Sequence, residues 1–138
     1  MTFQVYRQGG YQHLSVTLKR LAAIATLFLA VVILFMALAP PSAQISGGIN
    51  DKVLHFTAFA TLVLPCAIFL ARHLAWIVPL TFAFGGAIEL VQPGFGREAS
   101  WADFHADVLG VMFGVLLGLV LRSLVKRFLS APKRQRQV

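Results

Sequence analysis

Four long apolar stretches, parted by short polar segments, fill most of this chain, at about residues 21–39, 53–71, 74–92 and 104–121. Each falls within or near the roughly 17–25 residues that a helix needs to cross a hydrocarbon core. The pattern therefore predicts an all-α membrane protein with four transmembrane helices. The segment from Pro40 to Asn50 (PPSAQISGGIN) is a Pro/Gly/Ser turn ending in Asn50, a good helix N-cap, with Asp51 in the first turn behind it. The segment from Pro93 to Trp101 (PGFGREASW) opens on Pro-Gly and closes on Ser100, whose Ser-x-x-Asp spacing to Asp103 resembles a capping box. Both act as stop and restart signals. The first stretch is too long for the apolar core of a cleaved signal peptide, and Pro40-Pro41 and three more spans follow it. The expected layout is an N-terminal segment 1–20, a four-span domain 21–121 and a basic tail 122–138 without regular structure, with no room for a separate soluble domain.

Composition agrees: 58% of the residues are hydrophobic and 12% charged, against about 25% charged in soluble domains. The distribution of charge adds more than its amount. Ten of the twelve Lys and Arg residues belong to one side of a four-span bundle: Arg7, Lys19 and Arg20 before the first span, Arg72 in the second connection, and six after the fourth. Only Lys52 and Arg97 belong to the other side. By the positive-inside bias both termini are expected in the cytoplasm. The net charge of +7 is then a signal of topology and of contact with anionic lipid. The cluster from Lys133 to Arg136 is explained by its place beside a span, so no nucleic-acid partner is expected. The lone Cys66 lies inside the second span, which excludes disulfide or multi-cysteine metal chemistry within one chain and leaves it as a lipid-facing or packing residue.

All five acidic residues (Asp51, Glu89, Glu98, Asp103 and Asp107) fall in or beside the two outward connections. Helical spacing sorts them. Asp51 and His55 share a face at the outer end of the second span; Glu89 and Gln92 share one at the outer end of the third, with Gly85 and Gly86 a turn deeper. Asp103 and Asp107 share a face of the fourth span that continues into Gly110, Gly114 and Gly118, a small-residue stripe suited to close helix approach. At 1.5 Å per residue, His55, Glu89 and Asp107 each lie about 6 Å below their helix ends, at one common depth.

Asp51 and Asp103 sit in first turns, where the helix dipole favours an anion, and so have a structural reading as well as a functional one. Glu98, Lys52 and Ser100 read as solvated loop or cap residues. His105 points away from the Asp103/Asp107 face, and His13 and His73 belong to the basic side. Glu89 has no such structural reading. It stands near a helix C-terminus, where the dipole opposes it, and within an apolar sequence where charge is costly. A partner is required: Arg97 is the natural one, with Lys52 or protonated His55 as competitors.

Three motifs in order, Asp51-Lys52-x-x-His55-x-x-x-Phe59, Gly85-x-x-x-Glu89-x-x-Gln92 and Arg97-x-x-Ser100-x-x-Asp103-x-x-x-Asp107-x-x-Gly110, resemble the VanZ-like family of small membrane proteins. The resemblance spans about Asp51 to Gly114, three of the four spans. The family usually has Asn where this chain has Asp107, so the patch carries one more negative charge. The family is named for a teicoplanin-resistance protein and has no settled reaction. What the resemblance implies is a fold, a place in the bacterial cytoplasmic (inner) membrane, and a site.

Other chemistries fit less well. Arg97, His105 and Asp107 lack the spacings and the Ser-Gly-His element of phosphatidic-acid-phosphatase-type enzymes. A zinc site from His55, Glu89, His105 and a carboxylate is conceivable, but no His-x-x-x-His or His-Glu-x-x-His pair supports it, so neither metal nor cofactor is expected. Ser100 and His105 form no defensible nucleophile and base. The expected site is an outward-facing polar pocket at the outer ends of the last three spans, with the first span a mostly lipid-facing anchor. There Arg97 and Lys52 would hold an anionic head group of a lipid or envelope component. Glu89 with His55 would hydrogen-bond or transfer protons, and Asp51, Gln92, Asp103 and Asp107 would complete the lining. The alternative is an accessory subunit packed against a larger membrane complex, for which the glycine stripe and the long first span are equally suited.

Overall fold

The computed structural model describes residues 2–39 and 50–130, with side chains from 16 to 39 and 50 to 127. Four helices make up the fold: α1 (Thr2–Ala37), α2 (Asp51–Phe69), α3 (Leu74–Val91) and α4 (Trp101–Ser130). Short 3-10 turns, Ala71–His73 and Gln92–Phe95, lead into and out of α3. Among the described residues there is no strand. All four helices are long and apolar enough to cross a membrane, over Val16–Ala37, Asp51–Phe69, Ala71–Phe95 and Trp101–Arg127. The apolar run of α1 is the second half of one unbroken helix, so residues 2–20 are helical rather than a separate segment.

The expected unstructured tail is in part helix, since α4 continues to Ser130; residues 131–138 lie outside the described ones. The extension has a partner on α2. Arg122 donates from Nη1 to the Ile68 carbonyl at 2.7 Å, satisfying one of the orphan carbonyls in the last turn of α2. That contact holds the lower end of α4 against α2 where the apolar sequence runs out.

α2 is the central element and pairs most closely with α4. Gly110, Gly114 and Gly118 make the approach: a Cβ on the first would strike the Phe56 carbonyl, on the second the Ala60 carbonyl and Val63, and on the third Ala67. A stripe without side chains thus brings two backbones together, the packing available to helices that cannot rely on water to drive them into contact. Phe59, Leu62, Val63, Ile88, Val111 and Ala37 form the core. α1 covers another side of α2, where the Thr26 hydroxyl lies 3.3 Å from the Leu62 carbonyl and 3.2 Å from Cys66 Sγ. Cys66 is accordingly buried between α1 and α2, a packing residue rather than a lipid-facing one.

The outer surface is what a lipid solvent permits. Trp76, Leu90 and Phe35 are 81%, 83% and 75% exposed. The threonines on these faces hide their hydroxyls: Thr57 and Thr61 donate to the Val53 and Thr57 carbonyls, each at 2.7 Å. In hydrocarbon a hydroxyl without a partner is costly, and the preceding turn is the nearest acceptor.

Candidate functional site

Three helix ends meet at one end of the bundle, and each carries its polar residues there for local reasons. α2 starts where the Asn50 side chain accepts the Lys52 N–H at 3.0 Å, which sets Asp51 and His55 on the first two turns. α3 stops at a 3-10 turn with Pro93 near its start. Gly96 follows in the left-handed region at φ 76°, its N–H turned back to the Pro93 carbonyl at 3.3 Å. This hook reverses the chain directly above Glu89 and Gln92. α4 then starts with Ser100, whose Oγ accepts the Asp103 N–H at 3.3 Å.

The cap at Ser100 is only half of a capping box. In the reciprocal arrangement the carboxylate three residues on would take the cap residue's own N–H. Here Glu89 takes it instead, with Oε2 2.7 Å from the Ser100 nitrogen. A carboxylate from α3 thereby caps α4, and the Asp103 side chain is left to face inward, 8% exposed.

His55 and Asp107 pair across α2 and α4, Nδ1 to Oδ1 at 2.9 Å, with Asp107 1% exposed. Gly85 gives Asp107 its room: a Cβ there would stand 2.8 Å from Oδ2. Ligand atoms of His55, Glu89 and Asp107 all lie within 4.8 Å of one another, as do those of Asp51, His55 and Asp103. Three oxygens in this group, Glu89 Oε1, Asp103 Oδ1 and Asp107 Oδ2, are buried and have no hydrogen-bond partner. Four buried ionisable side chains from three helices therefore converge on one small volume.

Arg97 and Lys52 do not join them, which corrects the first expected partner of Glu89; of the competitors, His55 is the one that stands beside it. Arg97 pairs with Asp51, Nη2 to Oδ2 at 3.0 Å, and its Nη1 donates to the Ala37 carbonyl at 3.2 Å. The same carbonyl accepts from Gln92 Nε2 at 3.2 Å. The physical reason is the hook at Gly96, which sends residue 97 over the end of α1, where carbonyls lack helical donors, and brings Ser100 rather than Arg97 back to Glu89. Gln92 is thus a strut, 1% exposed, rather than a pocket donor. Lys52 is exposed, as is Glu98. Among the described residues no Lys or Arg forms an ion pair with Glu89, Asp103 or Asp107. His105 is exposed and bonded to the Trp101 carbonyl, so the zinc set that includes it is not assembled.

Beside the carboxylates runs a groove of about 530 Å³ between α3 and the start of α4. Gly86, Leu90, Trp101 and Phe104 supply its apolar walls, and Glu89 with Ser100 its polar end. Sequence reasoning missed the groove and the Ser100 N–H. The Gly85–Gly86 pair one turn beneath Glu89 is the signal that points to both the room for Asp107 and the groove floor. Compared with known proteins, the chain matches no family model, and no curated protein or solved structure is found to be similar to it.

Proposed function

We propose that this chain is a VanZ-like integral protein of the bacterial cytoplasmic membrane that binds the head group of a lipid or lipid-linked envelope component. The observation that supports this reading is the union of the apolar groove with the buried carboxylate group at one end of the bundle. A lipid is the ligand whose two halves match such a surface: chain along Leu90 and Phe104, head beside Glu89 and Ser100. The polar side chains that line the groove for a head group are Glu89 and Ser100. The head group must bring hydrogen-bond donors, or meet a cation, because Arg97 is engaged with Asp51 and Ala37.

Filling the groove tests the reading. Gly86 lines it, and a Cβ there would make only ordinary contact with Phe104 at 3.6 Å, so the backbone tolerates a side chain that projects into the space. Gly86→Leu is expected to lower the lipid retained by the purified protein at least fivefold in native mass spectrometry, with its melting temperature near that of the parent. Equal lipid occupancy in both proteins would remove the groove from the function. Migration of the parent only within a much larger assembly would favour the accessory-subunit reading.

The orientation in this proposal, with both termini cytoplasmic and the carboxylate end outward, follows from the sorted Lys and Arg residues. Cys66 is buried, so a single added cysteine can report sidedness. In intact cells Glu98→Cys is expected to react with a membrane-impermeant maleimide and Ser123→Cys only after lysis. The reverse pattern inverts the topology.

A further inference from the structure

We propose that His55, Glu89 and Asp107, with Asp103 beside them, form a binding site for a divalent transition-metal ion. The ligand atoms of His55, Glu89 and Asp107 lie within 4.8 Å of one another, Asp103 comes as close to His55, and all four side chains are at least nine-tenths buried. Metal–ligand bonds of about 2.0–2.2 Å put the ligands of a tetrahedral ion about 3.3–3.6 Å apart, so atoms already within 4.8 Å of one another need to close by no more than about 1.5 Å.

The carboxylates themselves call for a cation. Glu89 Oε1, Asp103 Oδ1 and Asp107 Oδ2 are buried acceptors with no donor, an arrangement that low-dielectric surroundings penalise both as lost hydrogen bonds and as like charges in proximity. No described Lys or Arg side chain neutralises them. The other oxygen of Glu89 is already used in a way that aims the free one. Glu89 Oε2 is held by the Ser100 N–H, and the 2.9 Å contact between His55 Nδ1 and Asp107 Oδ1 is the one the ion would enter, in place of the shared proton. A hydrogen bond to one atom of a ligand side chain fixes the orientation of the remaining donor atom, the usual outer-shell role at metal centres. Gly85 keeps the space at Asp107 Oδ2 that any Cβ would fill.

The donor set names the class of ion. One imidazole with two or three carboxylates suits Mn²⁺, Fe²⁺ or Zn²⁺ better than Mg²⁺ or Ca²⁺, which take oxygen ligands alone. A bound dication would reverse the electrostatics at the polar end of the groove and make it a receptor for a phosphate-bearing head group. That consequence rests on the groove reading above; the metal site does not.

Equilibrium dialysis of the chelator-stripped, full-length protein against Zn²⁺ and Mn²⁺, with elemental analysis, tests the site. One equivalent is expected in the parent, with affinity at least tenfold lower in Glu89→Gln and in Asp107→Asn. Glu89→Gln keeps an oxygen for the Ser100 N–H, so its melting temperature checks that lost binding is not lost folding. The exposed pair His73→Ala/His105→Ala is expected to bind as the parent does. X-ray absorption of the Zn²⁺ form is expected to show a single imidazole among oxygen ligands, a readout independent of every variant. Binding well below one equivalent, binding unchanged in both carboxylate variants, loss with the exposed histidines, or a spectrum dominated by several imidazoles would each overturn the proposal. Metal binding without lipid retention would refute the groove and leave the metal site standing.

Discussion

Replacing His55 by Leu is expected to destabilise the bundle by about 1–3 kcal/mol, the usual cost of leaving a buried acceptor without its donor. Asp107 would remain, 1% exposed, with neither of its oxygens bonded to a donor from the described residues. Leu at position 107 has the branched shape of Asp without its charge, so the double variant His55→Leu/Asp107→Leu removes the need for the pair altogether. It is expected to recover more than half of the lost stability, since deleting both halves of a buried polar pair is far cheaper than deleting one. Unfolding in detergent, followed for the parent, both single variants and the double, measures the coupling. Purely additive losses would show that the contact carries no energy. The same double variant separates stability from function: a folded protein that no longer retains lipid or metal assigns the pair to the site.

The second large effect concerns the glycine stripe. Gly110→Ala and Gly114→Ala are each expected to cost at least the 1–3 kcal/mol or so typical of overpacking. The obstacles here are the Phe56 and Ala60 carbonyls, which cannot rotate aside as a side-chain tip would. α4 must therefore move away from α2 along its length, and Gly114→Leu is expected to leave no folded protein in gentle detergent. Gly94→Ala is the control, because a Cβ there meets nothing within 4 Å. A melting temperature at Gly110→Ala equal to that of Gly94→Ala would mean that the close approach is not needed.

Much of this arrangement could be read before any coordinates. Lipid punishes misplaced polarity, so polar residues mark helix ends, and the i, i+4 spacing of Asp51 with His55 and Asp103 with Asp107 assigns them faces. Counting residues from helix ends places His55, Glu89 and Asp107 at one depth, and their ligand atoms do lie within 4.8 Å. What could not be read was which base meets which acid. Arg97 and Glu89 are both polar, oppositely charged and near in sequence, yet the left-handed turn at Gly96 takes one over α1 and leaves the other under Ser100. Spacing rules hold within a helix and say little across a nine-residue connection. The Ser100-x-x-Asp103 pattern correctly gives the cap of α4, but a local capping motif does not reveal that a carboxylate from another helix takes its reciprocal half. The extension of α4 past Arg122 depends on a carbonyl of α2, again a partner distant in sequence.

The Ala37 carbonyl, which accepts from both Gln92 and Arg97, carries a consequence for how the chain is made. During synthesis α1 enters the bilayer with that carbonyl open, and its two donors emerge only after another 55 and 60 residues have been translated. The nascent chain thus holds an unfinished end at the membrane surface until the third helix is complete. The packing of α1 on α2 through Thr26 and Leu62 needs no later residue, but the tie at its C-terminal end cannot form in a chain that stops short of Gln92 and Arg97.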